Sequence, residues 1–156
     1  MSKTFLSYGA LIYTFVLGGP CLVQLIGGSI YKGQCPYWPS LPLLSQTQGS
    51  LGIILFFVVV FATLSFRYES MGLGVGFTVL AILIHITQLT ICIYATIATF
   101  VESGKYVMQY DDATLSTYCH PKFIDIRQAS SVAEYVLLFL LCGISGCILR
   151  LSDEDV

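Results

Sequence analysis

A stretch of thirty residues without a charged side chain, 72–101, is the feature that most constrains this fold. As an α-helix with a rise of about 1.5 Å per residue, it more than covers a hydrocarbon core of about 30 Å. Small and polar residues recur on it every three or four positions, whereas bulky aliphatic residues fill the other side. The pattern predicts a membrane-spanning helix whose small and polar face packs against other helices.

The composition of the whole chain indicates that its solvent is a lipid bilayer. Of the 156 residues, 56% are hydrophobic and only 10% are charged, whereas an ordinary soluble domain has roughly 25% charged residues. The formal net charge of −2 offers no basic surface for nucleic acid. We therefore expect a single domain in contact with membrane lipids, without a nucleic-acid partner.

The apolar segments predict an all-α membrane protein, a bundle of four transmembrane helices. The predicted spans are approximately 5–31, 43–66, 72–101 and 129–149. We expect residues 102–127 to form an outer loop and residues 150–156 to form an acidic cytoplasmic tail. Because the number of spans is even, both termini lie on the same side of the membrane.

The cysteines in the predicted loops indicate which side of the membrane each loop occupies. Lysine and arginine are divided almost equally between the two sides, so the positive-inside rule does not set the orientation. Cys35 and Cys119 are the only loop cysteines, and both lie opposite the termini. A disulfide between them would persist in an oxidising compartment. We therefore predict a Cys35–Cys119 disulfide, cytoplasmic termini, and a location in the plasma membrane or a secretory-pathway organelle.

Polar side chains within the spans are the candidate functional residues. His85 and Gln88 lie one turn apart on the third span, while Gln24 lies in the first and Glu134 in the fourth. The second span begins with polar residues, 45–48, which must be hydrated or paired with protein. Hydrocarbon offers no hydrogen-bond partner, so these groups should face the bundle interior. They could form a proton or ion path or a small-molecule pocket; alternatively, each satisfies a neighbouring group and fixes the helix order.

Pairs of glycines three or four residues apart predict close helix contacts. These pairs are Gly72 with Gly76, Gly49 with Gly52, and Gly143 with Gly146. One compact bundle does not require so many small-residue faces, so we expect association with copies of the chain or with other membrane proteins. The C-terminal Val156, preceded by acidic residues, is compatible with strand addition into a PDZ domain.

The sequence contains no recognisable motif for catalysis or for a bound metal. It has no HExxH or Gly-x-Ser-x-Gly motif and only two histidines. A zinc site usually takes three or four protein ligands, which a single intramembrane histidine and glutamate do not supply. Asp111 and Asp112 lack the alternating ligand spacing of a calcium loop. We therefore predict a protein without enzymatic activity, metal or cofactor.

Two short motifs resemble a known family of membrane proteins. The motifs are Tyr31, Cys35-Pro36, Pro39 and Pro42-Leu43-Leu44 after the first span, and Tyr118-Cys119-His120-Pro121 before the fourth. Both are similar to the corresponding segments of the transmembrane protein 272 family. The resemblance implies a four-helix membrane protein with cytoplasmic ends, and it implies no particular activity.

Overall fold

The structure is a computed structural model of the chain. It describes the backbone of residues 3–68, 70–97, 99 and 110–153, and within these ranges the side chains between residues 9 and 140. The described part of the chain is helical and contains no strand. The all-helical class predicted from the hydrophobic periodicity is therefore confirmed for these residues.

The described chain has four helices. They are α1, Lys3–Ile30; α2, Leu41–Arg67; α3, Met71–Thr96; and α4, Pro121–Asp153. Segment Gly9–Ile30 of α1, the whole of α2 and the whole of α3 are long and apolar enough to cross a membrane. This finding supports the predicted membrane location, because each of the three could cover a hydrocarbon core of about 30 Å.

Helix α4 begins earlier than the sequence analysis expected. Its first residue is Pro121, inside the range 102–127 that was predicted as an outer loop. Proline suits the first position of a helix, since the missing N–H would have no partner there and its φ is already helical. Consequently Arg127, which the sequence placed in the loop, belongs to a helix.

The two loops that join the helix ends pack against each other at one end of the bundle. Cys35 and Cys119 form a disulfide, which confirms the predicted pairing. The His120 N–H donates to the Gln34 carbonyl at 3.0 Å and the Tyr37 N–H donates to the carbonyl of residue 118 at 3.2 Å. We call this end, with loop residues 31–40 and 110–120, the loop end, and the opposite end the terminal end.

A small apolar core lies beneath the disulfide at the loop end. Its members come from both loops and from three helices: Cys35, Leu41, Ala95, Cys119, Phe123 and Ile124. Tyr31 and Trp38 pack against it, and the Trp38 ring meets Tyr94 of α3 edge-on. Gly33 has a φ of 79°, which a glycine adopts without strain, and it lies in the turn that follows α1. The loop end is thus held by a covalent bond and by packed aromatic rings.

The helices pack as an open row in which α1 and α2 are central. Helix α1 lies along both α2 and α4, α2 also lies along α3, and α3 and α4 barely meet. Glycines allow the close approach of α1 and α2. A Cβ atom on Gly49 would lie 2.7 Å from the Leu25 nitrogen, and one on Gly28 would lie 2.6 Å from the Pro42 carbonyl oxygen. Both positions therefore exclude any larger residue unless the backbone moves.

The other glycines singled out by the sequence have different surroundings. Gly52 also faces α1, where a Cβ atom would collide with Cys21. Within the described chain, a Cβ atom on Gly72 or Gly76 would meet nothing within 4 Å, so these two make no close helix contact there. Gly143 and Gly146 fall outside the residues whose packing is described.

Candidate functional site

Glu134 of α4 lies buried between three helices, with only 5% of its surface exposed. Gln24 of α1 donates from Nε2 to Glu134 Oε1 at 2.9 Å. Gln48 of α2 donates from Nε2 to the other carboxyl oxygen, Oε2. A buried carboxyl group needs such partners, because the apolar interior offers no water to solvate it. Glu134 therefore connects α4 to both central helices.

Arg127 lies two turns before Glu134 on α4 and is fully buried. Its Nη2 donates to Oε1 of Gln48, the residue that also donates to Glu134. The Gln48 amide thus lies between a guanidinium and a carboxyl group and hydrogen-bonds to both. A hydrogen bond from a charged guanidinium is stronger than one between neutral groups, so the Arg127–Gln48 bond is a firm link between α2 and α4.

Helix α3 joins the same site through Gln88. Gln88 Nε2 donates to Cys21 Sγ of α1 at 3.1 Å, and that thiol makes a long contact of 4.0 Å with Glu134 Oε1. Each of the four helices therefore contributes to a continuous set of polar contacts. We call this set the Glu134 network, and its members are Cys21, Gln24, Gln48, Gln88, Arg127 and Glu134.

The local sequence of α2 provides the space that the Glu134 network occupies. Gly52 lies against Cys21, and a Cβ atom there would also be 3.2 Å from Gln88 Nε2. Gln48 and Gly52 are one helical turn apart, so they share the face that meets α1. A glycine at this position lets the thiol and the two amides approach one another inside the bundle.

Several buried polar atoms around the Glu134 network have no hydrogen-bond partner among the described residues. These atoms are Gln24 Oε1, Ser45 Oγ, Gln88 Oε1, Arg127 Nε, Arg127 Nη1 and Ser131 Oγ. Unsatisfied buried groups cost free energy, so the network has unused capacity for further hydrogen bonds. Polar atoms of this kind can hold water or take part in proton transfer within a membrane.

His85 lies outside the Glu134 network, one turn from Gln88 towards the terminal end. Its Nε2 is 3.5 Å from the hydroxyl oxygen of Tyr13, and the two rings meet edge-on with centroids 5.9 Å apart. Of the four polar residues that the sequence singled out, Gln24, Gln88 and Glu134 thus belong to the network. His85 instead forms a separate pair with Tyr13.

The His85–Tyr13 pair lines a cavity of about 460 Å³ between α1, α2 and α3. The other lining residues are mostly aliphatic: Ala10, Thr14, Leu55, Val59, Ala62, Thr63, Phe66, Thr78, Ala81, Ile82 and Ile86. The three threonine hydroxyls donate to carbonyls of their own helices, at 2.8 to 3.0 Å. The histidine and tyrosine are therefore the principal side-chain polar groups on the wall of this cavity.

The loop before α4 contains a turn formed by Asp112 and Thr114. Asp112 Oδ1 accepts hydrogen bonds from the backbone N–H and the hydroxyl of Thr114, and these bonds lower the pKa of its carboxyl group. Within the described ranges, no group of three or more histidine, cysteine, aspartate or glutamate side chains is placed to hold a metal ion. Asp112 is fully exposed, so its hydrogen bonds shape the loop and create no buried site.

Gln48, Cys21 and Arg127 were not among the predicted site residues. The sequence did indicate a buried partner for Gln48, because this residue belongs to the polar segment 45–48, which requires water or a protein partner. The indication for Arg127 was weaker. Arg127 is seven residues before Glu134, which places both on one face of a helix. A charged residue beside a polar loop is more typical of the loop, and this explains why the sequence analysis placed it there.

Comparison with known proteins returned no relative of this chain. No family model matches it, and no match was found among curated proteins or solved structures. The function has to be inferred from the arrangement of its own residues.

Proposed function

We propose that the chain is a four-span membrane protein without enzymatic activity, which associates with copies of itself or with other membrane proteins. The observation that carries this proposal is the contrast between its glycine faces. Helix α1 occupies the space beside Gly49 and Gly52. In contrast, nothing described lies within 4 Å of a Cβ atom built on Gly72 or Gly76. Small residues permit close backbone contact between membrane helices, and this pair is available to a second molecule.

The burial of Glu134 and Arg127 supports α4 as the fourth span. With 33 residues, α4 is about 50 Å long, more than a bilayer core requires. Glu134 and Arg127 are the charged residues that would lie deepest in hydrocarbon. Glu134 is hydrogen-bonded to α1 and α2, and Arg127 is hydrogen-bonded to α2. A membrane helix tolerates charged residues when they face the bundle interior and have partners.

Four spans predict that both termini face the same compartment. The Cys35–Cys119 disulfide supports an oxidising environment for the loop end and a cytoplasmic location for the termini. Protease digestion of sealed vesicles that contain protein tagged at either end would test this orientation. We expect both tags to be cleaved from the cytoplasmic side, and protection of only one of them would contradict four spans.

The association proposal can be tested at the open glycine pair. A double variant, Gly72→Leu with Gly76→Leu, has room among the described residues of the protomer but blocks close approach of another helix. We expect mass photometry after gentle detergent extraction to show oligomers for the natural chain and monomers for this variant. Ile54→Phe, which enlarges an exposed residue of α2, is the matched control and should leave the oligomers intact. Only monomers in the natural chain would refute the proposal.

A second candidate function is an oligomeric channel or proton-linked transporter. The observation that favours it is the position of His85 beside the cavity, one helical turn from Gln88 of the Glu134 network. Intramembrane ionisable residues often mark ion or proton pathways. Proteoliposomes would test this function. A proton flux that falls in His85→Ala and in Glu134→Gln would support it, and a flux unchanged in both would exclude conduction through these residues.

Two further proposals rest on the sequence motifs. Membership of the transmembrane protein 272 family is proposed on the two sequence motifs alone; in the structure, Tyr31 of the first motif lies beside His120 of the second, with tilted rings whose centroids are 4.7 Å apart. The proposed PDZ ligand ends at Val156, which lies outside the described residues. Deletion of Val156 should abolish capture of the full chain by a PDZ partner, and unchanged capture would disprove this role.

A further inference from the structure

We propose that the Glu134 network binds at least two water molecules at the buried guanidinium of Arg127, which link it to the hydroxyl groups of Ser45 and Ser131. The site lies near the loop end and apart from the cavity, which none of these three residues lines. It belongs to a single protomer, so it depends on neither self-association nor conduction. Three properties of the site lead to the proposal: the unpartnered donors of Arg127, the two serine hydroxyls, and the balance of charge.

Arg127 has more hydrogen-bond donors than the described residues satisfy. Its side chain has no exposed surface, and its Nη2 donates to Oε1 of Gln48. Nε and Nη1 have no partner among the described residues. A guanidinium is planar and rigid, and its Nε and Nη1 direct their N–H bonds in divergent directions, so one acceptor atom cannot serve both. Each of the two nitrogens therefore needs an acceptor of its own.

Two serine hydroxyl groups on the same helix faces also lack a partner. Ser131 is one turn after Arg127 on α4, and Ser45 is one turn before Gln48 on α2. Both serines therefore lie on the faces that meet at the Arg127–Gln48 bond. They are fully buried, and neither Oγ atom has a described partner. Thr47, in contrast, donates to a carbonyl of its own helix at 2.9 Å. The two serines forgo this common bond, which leaves their hydroxyls available to water.

The balance of charge at the site favours a neutral molecule over an ion. Both carboxyl oxygens of Glu134 accept hydrogen bonds, as a carboxylate does, and the Gln48 amide joins this group to the Arg127 guanidinium. The two charges therefore offset each other. An added ion would leave an uncompensated charge between helices that are apolar enough to span a membrane. The unpartnered Gln24 Oε1 also needs a donor, which chloride cannot supply. Water is neutral, and it both donates and accepts.

The bound water would add a second link between α2 and α4. A buried water molecule typically makes about two to four hydrogen bonds to groups that otherwise lack a partner. Arg127 supplies one donor to each of the two molecules, and the hydroxyls of Ser45 and Ser131 supply further contacts. Ser45 belongs to α2 and the other two residues belong to α4. The water-mediated link thus lies beside the direct Arg127–Gln48 bond and fixes the same pair of helices.

A high-resolution crystal structure of the natural chain tests the proposal without any substitution. The full chain is crystallised in a lipidic mesophase with bromide in place of chloride. We expect two water peaks, each about 2.7–3.2 Å from Nε or Nη1 of Arg127 and within the same range of a serine hydroxyl. An anomalous bromide peak at the guanidinium would identify an anion site and overturn the proposal. Fewer than two water peaks, or protein acceptors bound directly to Nε and Nη1, would overturn it as well.

Nuclear magnetic resonance tests the same site in detergent micelles. Arg67, Arg127 and Arg150 are the only arginines of the chain. The full chain with Arg67→Lys and Arg150→Lys therefore carries a single arginine, which is labelled isotopically. We expect direct cross-relaxation between water protons and the Nε–H group of Arg127, with the sign that distinguishes it from chemical exchange. Loss of this signal relative to a dry buried group is the opposite outcome: an Nε–H without cross-relaxation to water would overturn the proposal.

Two variants of this single-arginine chain separate bound water from serine hydroxyl protons, which exchange with water and can relay its signal. Ser45→Ala with Ser131→Ala removes both hydroxyls and leaves room for the water, so the cross-relaxation at Arg127 should persist. Thr47→Val is the matched control, since it removes a hydroxyl that bonds to its own helix, and it should leave the signal unchanged. An intact Cys35–Cys119 disulfide and a monodisperse size-exclusion peak verify the fold of each variant. A signal that vanishes in the double serine variant would belong to the hydroxyl protons and would refute bound water.

Discussion

The loop end and the terminal end of this bundle are built differently, although the same helices run through both. At the loop end, a disulfide joins the two loops, and Gly28 and Gly49 bring α1 and α2 into backbone contact. Towards the terminal end, residues of α1, α2 and α3 line the cavity beside His85. There, nothing described lies within 4 Å of a Cβ atom built on Gly72 or Gly76.

The contrast indicates a division of roles along the helices. The Glu134 network lies on the loop side of the cavity and connects all four helices by hydrogen bonds. Such bonds specify which helices are neighbours, because each donor must meet its own acceptor in a solvent that offers no substitute. The terminal end lacks this constraint among its described residues, and it contains the cavity and the pair Gly72 and Gly76.

Substitution of Glu134 should have the largest effect on stability. Glu134→Leu leaves the Gln24 and Gln48 amides without their acceptor and removes the carboxyl group near the buried Arg127 guanidinium, and we expect a loss of roughly 3–5 kcal/mol. Glu134→Gln retains an acceptor oxygen and should lose only about 1 kcal/mol. Unfolding in mixed micelles measures both values. Similar losses for the two variants would show that the size of the side chain matters and its hydrogen bonds do not.

Loss of the disulfide should rank second and should loosen the loop end alone. Cys119→Ser releases a cross-link between residues 84 apart, and we expect a loss of about 2–4 kcal/mol. A reducing agent should destabilise the natural chain similarly and leave this variant unaffected. Peptide mapping without reductant should recover Cys35 joined to Cys119. Two free thiols in freshly purified protein would contradict the oxidising location of the loops.

Substitution of one glycine near each end tests directly whether the two ends are packed differently. Gly49→Ala forces α1 and α2 apart, since its Cβ atom would lie 2.7 Å from the Leu25 nitrogen, and we expect a loss of about 1–3 kcal/mol. Gly76→Ala has open space and should gain up to about 1 kcal/mol from the helix propensity of alanine. Thermal unfolding in detergent measures the difference. Equal changes would remove the structural distinction between the ends.

His85→Phe should have the smallest effect on stability. The imidazole lies beside a cavity, and its contact with Tyr13 is long, so we expect a change of less than about 1 kcal/mol. The same micelle titration used for Glu134 measures it. A loss as large as that of Glu134→Leu would mean that His85 belongs to the network and that the two ends are not independent.

Much of the architecture could be predicted from local patterns in the sequence. Helix α3, Met71–Thr96, covers residues 72–96 of the uncharged segment 72–101, because spacing of three or four residues is set within a single helix. The Cys35–Cys119 pair was predictable because no other cysteines lie in the loops. The start of α4 was not, since polar residues around Pro121 are as typical of a loop as of a first helical turn.

The sequence by itself determined that this chain forms apolar helices and that its polar groups would seek partners away from lipid. Only the tertiary structure decided which partners meet: Gln24 and Gln48 reach Glu134, while His85 faces a cavity with Tyr13. The physical reason is that helix periodicity depends on residues three and four apart. The register between helices depends instead on the packing of residues far apart in sequence, such as Gly49 against Leu25.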